Sequence, residues 1–464
     1  MNRIFNAILI GVLLAAPRQI KASVFSVNSA AGFSDAIGKA RSSDTIIWNR
    51  GTYQDVLLEI KTDSLFILAE KDGEVILTGN SSVKLLGSRC ELRGFQFASG
   101  KTDGDVIRVE GSHNNIAQVN ISRYVSKYYL NILPSSQYTE ISYCNFERKP
   151  EKPESSVVEV QVAESQPGYH MIRYCSFRNH TSPPGSGGDY GIEALRIGYS
   201  FQSKFISRTL VEYCYFESCL GDGEIISSKA RQNVYRYNTF YNNGPSHFTL
   251  RHGSENHVYG NFFLKGAGVR IKEGQEHAVF NNYFETGSYF SIMLANYKVD
   301  PLDRILIAHN TFVNSGPVVL GGEGDYPPRK VGIFNNFFQK PEGQLFEELT
   351  NEEVFGGNLA AGTGNQQVPQ GVRQIRNDGL ERNVAGYYQP VRKLRGKECP
   401  AKSWSAMKLF DQMEHDATIA LDIAQNGRPK KADEKAVGCL EYQSGRTLKL
   451  WATSQNTGPF YLKE

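Results

Sequence analysis

One four-residue pattern recurs down the middle of the chain and limits its possible folds more than any other feature. An aromatic or small residue is followed by Cys or Asn, then any residue, then Phe. It reads Tyr143-Cys144-Asn145-Phe146, Tyr174-Cys175-Ser176-Phe177, Tyr213-Cys214-Tyr215-Phe216 and Tyr237-Asn238-Thr239-Phe240. It continues as Gly260-Asn261-Phe262-Phe263, Asn281-Asn282-Tyr283-Phe284, His309-Asn310-Thr311-Phe312 and Asn335-Asn336-Phe337-Phe338. The Cys/Asn positions lie 31, 39, 24, 23, 21, 28 and 26 residues apart. One short β-rich unit per period of that length marks a solenoid. Weaker copies at Phe95-Gln96-Phe97 and Val119-Asn120-Ile121 extend it toward the N-terminus.

The repeat predicts an all-β, right-handed parallel β-helix. Each coil pairs in parallel with its neighbours about 4.8 Å away, and alternate side chains face inward, so Phe stacks on Phe. The Asn belongs at a bend, where its amide joins a ladder between coils and satisfies backbone groups that the turn leaves unpaired. Cys144, Cys175 and Cys214 take the same place as small buried groups. A propeller needs four strands per unit, and leucine-rich repeats need leucines that are absent. Composition agrees, with 44 Gly, 24 Tyr and 26 Phe against 5 Met.

The sequence divides into a signal peptide over 1–22, a β-helix over 23–400 and a C-terminal cap or final irregular coils over 401–464. The leader carries Arg3 and an apolar run from Ile4 to Ala16, too short to span a bilayer. The protein is therefore expected to be secreted or periplasmic, with no membrane span and as a monomer. Helical spacing at Ser403–His415 places the helix of this fold near the C-terminus. The leader holds Arg3, Arg18 and Lys21 and no acid, so 51 basic residues less these three leave 48 against 48 acidic ones. A near-neutral protein holds a polyanion through a local patch, and nothing points to nucleic acid. Seven cysteines cannot all pair within one chain, although Cys399 and Cys439 could.

Polar and charged groups concentrate between residues 189 and 277. Three segments stand out: Asp222-Gly223-Glu224-Ile225-Ile226-Ser227-Ser228-Lys229, Phe248-Thr249-Leu250-Arg251-His252-Gly253 and Gly268-Val269-Arg270-Ile271-Lys272. Lys229, Arg251 and Arg270 are separated by 22 and 19 residues, about one coil each, so they are expected to stack on one face. A solenoid does not need stacked like charges for stability, which points to an anionic ligand.

These segments, with Leu195-Arg196-Ile197-Gly198, Asn233-Val234-Tyr235 and Asn261-Phe262-Phe263, resemble polysaccharide lyase family 6, the family of chondroitinase B and alginate lyases. The resemblance implies β-elimination on a uronate polymer. Lys229 would be the base at C5 and Arg251 the second catalytic residue. Arg270, His252, Arg196 and Lys272 would bind substrate. Removing a proton α to a carboxylate builds negative charge that nearby cations stabilise, and those cations depress a lysine's pKa toward working pH. Guanidinium holds its proton too tightly to be a simple acid, so Arg251 is read as a charge stabiliser, with Lys229 or water protonating the leaving oxygen.

Several members bind calcium through one Asn and two Glu. The acidic positions fall on Asp222 and Glu224, and the Asn position on Tyr190, with Asp189 beside it. Either Asp189 substitutes by a one-residue shift, or the enzyme works without calcium. No organic cofactor is implied. Arginine at Arg270 resembles the alginate-cleaving members, which makes alginate the expected substrate and dermatan sulfate the alternative. A hydrolase on this fold would need acids flanking the bond, whereas Asp222 and Glu224 project from one side. A non-catalytic glycan-binding β-helix would not require a Lys–Arg pair beside acids.

Overall fold

The computed structural model describes residues 22–463 except 151–154, 185, 187–189, 296–301, 323, 340, 342, 376–378, 396–420, 430–436 and 443–446. Strands follow one another three to a coil, and from Thr45–Trp48 to Phe337–Gln339 neighbours in a sheet are three places apart and parallel. The result is three long sheets of 14, 12 and 14 strands that wrap one core, the parallel β-helix anticipated from the repeat. Parallel pairing runs from Val24–Val27 to Val372–Ile375. An antiparallel pair, Leu380–Arg382 with Tyr388–Pro390, follows it.

Inside, the repeat becomes two columns. Phe146, Phe177, Phe216, Phe240, Phe263, Phe284, Phe312 and Phe338 stack with ring centroids 4.6–5.2 Å apart. Beside them, Asn238, Asn261, Asn282, Asn310, Asn336 and Asn358 form a ladder. From Asn261 onward each side-chain oxygen accepts from the preceding rung's side-chain amide at 3.0 Å, and all six side-chain nitrogens donate to a strand carbonyl at 2.8–3.0 Å. In earlier coils Cys144, Cys175 and Cys214 point their Sγ at the equivalent carbonyls, 3.5–3.6 Å away. A thiol replaces the amide's donor function but cannot accept from the next rung as an amide oxygen does.

The residue before each rung turns the corner in the left-handed region, at φ 52° for Tyr143, 53° for Tyr174 and Tyr213, and 57° for Tyr237. That conformation costs a non-glycine residue about 1–2 kcal/mol. These four tyrosines stack at 4.8–5.4 Å, which offsets it. At Gly260 the column must stop, since a Cβ there would lie 2.6 Å from the Tyr237 ring.

The helix that is described lies at the opposite end from the expected one. Ala30–Lys39 is capped by Ser29, whose hydroxyl accepts from Gly32, and it sets Phe33 against Trp48 with centroids 5.9 Å apart. It covers the first coil, where an exposed core would otherwise meet water. The Ser403–His415 segment, the leader over 1–21 and Cys399 lie outside the described residues. Cys439 is buried, with its amide donating to Thr311 Oγ1.

Described residues of the expected C-terminal cap lie along the flank. Gly438 donates to Asn335 O, Gly458 to Tyr174 O and Phe460 to Gln118 Oε1, so this strap crosses successive coils back toward the N-terminus. Arg428 anchors it, buried between Glu441, Asn281 and the carbonyl of Gly438. No described helix is long and apolar enough to cross a membrane.

Candidate active site

The outer face of the 12-stranded sheet carries the charged segments. Its strands Val158–Val160, Leu195–Ile197, Glu224–Ser228, His247–Leu250, Val269–Ile271 and Ile292–Leu294 are successive neighbours. Their register places Glu159, Arg196, Ser227, Thr249, Arg270 and Met293 in one outward row. A second row begins one residue past the strand ends. Ser228, Leu250 and Ile271 are in register, so Lys229, Arg251 and Lys272 follow one above another. Their amides donate to Ile197 O, Ser228 O and Leu250 O at 2.8, 2.8 and 2.9 Å. This corrects the expected stack: the residue over Arg251 is Lys272, and Arg270 sits over Thr249, two positions earlier on the same strand. Unequal coil lengths caused the error, because 22 and 19 residues bracket one coil without fixing register.

The long coils carry extra residues before and after Leu195–Ile197, where loops run to the neighbouring strands Ser176–Thr181 and Leu210–Glu212. Asp189 lies outside the described residues of the first loop. Tyr190, at the expected Asn position, packs against the core.

Interleaved acids hold the cations apart. Arg251 donates to Glu224 Oε1 at 2.5 Å, and Ser227 Oγ donates to Glu224 Oε2 at 2.5 Å. Burial pushes the Glu224 carboxyl up, but Arg251 and the Ser227 hydrogen bond outweigh it and hold the group below its usual range. Asp222 accepts from the amides of Gly191 and Glu224 at 2.7 and 2.9 Å. Burial, then the negative Glu193, push it up to about 7. Arg196 donates through Nε to Glu159 at 2.7 Å and through a terminal nitrogen to Tyr128 Oη at 3.2 Å, with Glu193 3.7 Å away. Burial lifts Glu159 to about 7 despite Arg196. His252 pairs with Glu273 at 2.6 Å.

Lys229 differs from every cation around it. Its ammonium makes no hydrogen bond or ion pair among the described residues. Burial pushes its pKa down, Glu193 pushes it up, and Arg196 and Arg251 push it down again, with a net fall below the ordinary lysine value. A half-buried amine of lowered pKa between two guanidinium groups is suited to accept a proton.

The described acids do not fit a calcium site. The Arg251 guanidinium already neutralises Glu224, Asp222 has both oxygens on backbone N–H groups, and Tyr190 has no side-chain amide oxygen. Among the described residues no group of three His, Cys, Asp or Glu is arranged to hold a metal.

Sequence reasoning singled out Lys229, Arg251, Arg270, Lys272, Arg196, His252, Asp222 and Glu224, and all lie on or beside this face. It missed Glu159, Glu193, Tyr128 and Tyr199. Glu193, three residues before Arg196, was detectable from spacing. Glu159 was hidden, since the coil joining it to Arg196 is 37 residues long.

Three parallel sheets around one core, with a lysine set among arginines on one sheet face, define the class as a parallel β-helix with a charged outer face. Residues 27–325 match the sequence profile of chondroitinase B. The chain belongs to that family, within polysaccharide lyase family 6. Among solved structures it is similar to the family 6 alginate lyase AlyGC, at 25% identity and a TM-score of 0.71, over 80% of this chain and 55% of that one. It thus spans about half of that relative's length. It is also similar to a mannuronic acid-specific family 6 lyase from human gut microbiota, at 23% identity and a TM-score of 0.67, covering 77% of this chain and 92% of that chain. Against the family 6 lyase Pedsa3628 from Pseudopedobacter saltans the values are 22% and 0.64, covering 74% and 94%. No curated protein matches the chain.

Proposed function

We propose that the protein cleaves alginate by β-elimination, with Lys229 as the base. The observation that carries this reading is the Lys229 ammonium, without a hydrogen bond or ion pair among the described residues, lowered in pKa and near Arg196 and Arg251. Neutral Lys229 takes the C5 proton. The C–H electron pair becomes the new C4–C5 double bond, the C4–O4 bond breaks, and O4 leaves with its electrons. The lysine's new proton, or one from water, passes to O4. Arg251 faces the charge that develops on the substrate carboxylate, and Glu224 fixes its orientation. Guanidinium groups thereby supply positive charge at the carboxylate, and no step requires calcium.

Arg270 on the strand Val269–Ile271 and Lys272 just past its end add cations one coil beyond Arg251. A polymer with a carboxylate on every sugar would place one near Arg270, which supports alginate. The match to chondroitinase B supports dermatan sulfate as the second reading. Initial rates of unsaturated product formation, followed by ultraviolet absorbance on both polymers, decide between them. Alginate is expected to be cleaved faster, and Arg270→Ala to weaken its turnover by about 2–3 kcal/mol. Faster cleavage of dermatan sulfate overturns the alginate assignment, and no product from either overturns the lyase reading.

A further inference from the structure

Phe201 is an apolar ring held in water. Its side chain lies on the short turn Ser200–Gln202 and is 74% exposed, on a molecule that buries most of its phenylalanines. Leaving such a ring unburied forgoes the hydrophobic stabilisation that burial would supply. Yet the turn that presents it is tightly built. Gln202 is buried, with its Oε1 accepting from the Tyr199 amide at 2.9 Å and its Nε2 donating to Val162 O at 2.8 Å. Tyr199 Oη shares a hydrogen bond of 2.9 Å with Tyr128 Oη.

The turn also sits beside the base. It follows Gly198, where φ is +79° and a Cβ would come 3.2 Å from the Cβ of Ala230, the residue after Lys229. From there the groups stack outward. The Arg196 guanidinium lies 5.0 Å from the Tyr199 ring centroid, and the Phe201 ring lies parallel to Tyr199 at 5.6 Å and 5°. Tyr199 is thus covered by Arg196 and Phe201, while Phe201 is covered by Tyr199 and otherwise exposed. An exposed aromatic ring stacked on Tyr199, beside Arg196, offers a contact for the C–H face of a sugar.

Sugar shape then selects among uronates. A β-mannuronate chair presents axial C–H bonds at C1, C3 and C5 on one face and is linked through equatorial bonds. An α-guluronate chair is linked through axial bonds and carries an axial hydroxyl, so it lacks an equally flat apolar face. We propose that Phe201 is a stacking platform for the sugar one coil before Lys229, and that it makes this subsite favour mannuronate over guluronate. The inference rests on the uronate-lyase reading and adds a specificity determinant to it.

Two measurements test it. Initial rates on polymannuronate and polyguluronate are compared for wild type, Phe201→Ala and Phe201→Trp. Calorimetry follows a mannuronate tetrasaccharide binding to Lys229→Ala, with and without Phe201→Ala. Phe201→Ala is expected to raise KM on polymannuronate about tenfold with kcat within about twofold, and to weaken tetrasaccharide binding about tenfold. KM on polyguluronate should move less than about threefold, and Trp should restore the mannuronate value. Equal changes on both polymers, an unchanged KM, or no tetrasaccharide binding overturns the platform. If wild type releases no unsaturated product while binding still depends on Phe201, the lyase reading fails and the platform stands. If product forms and Phe201→Ala changes neither KM nor binding, the platform fails and the lyase reading stands.

Discussion

Inside the solenoid, consecutive coils place the same side chain at the same position: Phe216, Phe240, Phe263 and Phe284. On the outer face of the 12-stranded sheet, neighbouring coils place Arg196, Ser227, Thr249 and Arg270 in one row and Lys229, Arg251 and Lys272 in the next. A neutral ring gains dispersion energy from an identical neighbour, so repetition inside is favourable at every step. A cation gains nothing from an identical neighbour, so the outer rows need Glu159, Glu193 and Glu224 between them. Identity along a column is thus what the core selects. Unfavourable identity, tolerated and compensated, marks the working face.

That contrast can be broken most severely at Lys229. Lys229→Ala should lower turnover about 100-fold or more while circular dichroism and unfolding stay as in wild type, because this amine is isolated from the core. A rate above about a tenth of wild type would assign the base elsewhere.

The inner column should respond in the opposite sense. Phe263→Ala removes a ring stacked on both sides, at 4.7 and 4.9 Å, and should cost about 3–5 kcal/mol in denaturant unfolding. The kinetic constants of whatever protein remains folded should barely move. A large change in kcat would show that core and face are not separable.

Charge on the outer rows can then be tuned. Lys229 works only when unprotonated, so the rate rises with pH through its pKa. Burial, Arg196 and Arg251 lower that pKa and Glu193 raises it. Glu193→Gln should therefore move the acid limb of the kcat/KM profile to lower pH, and Arg251→Ala should move it to higher pH, whatever each does to the maximum. Shifts of the same sign would remove Lys229 as the titrating group. The smallest effect is expected from chelation. Prolonged treatment with a calcium chelator should leave the rate within about twofold, since Arg251 occupies Glu224. Complete loss reversed by calcium would show that the acids, with Asp189, form a working site.

Much of this was legible before any coordinates. Phe and Asn columns are one-dimensional signals, and a motif repeated eight times states its own geometry. Lys229 and Arg251 stood out as cations about one coil apart, and their expected roles came from the resemblance to family 6. Register was not legible for Arg270, because coil length varies and a difference of two residues moves a side chain along the strand without changing its face. Glu159 and Tyr128 were hidden for a related reason: they reach Arg196 across inserted loops whose length carries no periodicity. The N-terminal helix was missed because ten residues with Gly32 and Gly38 give a weak helical signal, although Ser29 was a readable cap.

The strap along the flank changes how such a solenoid should come apart. In an array where each coil touches only its neighbours, the ends fray independently and stability is a sum of local terms. Here Phe460 and Tyr461 rest on Gln118 and Gly438 holds Asn335, so distant coils share one tie. Opening either region releases contacts in the other. The molecule is wired as a loop rather than a line, and its coils should melt together in a single cooperative transition.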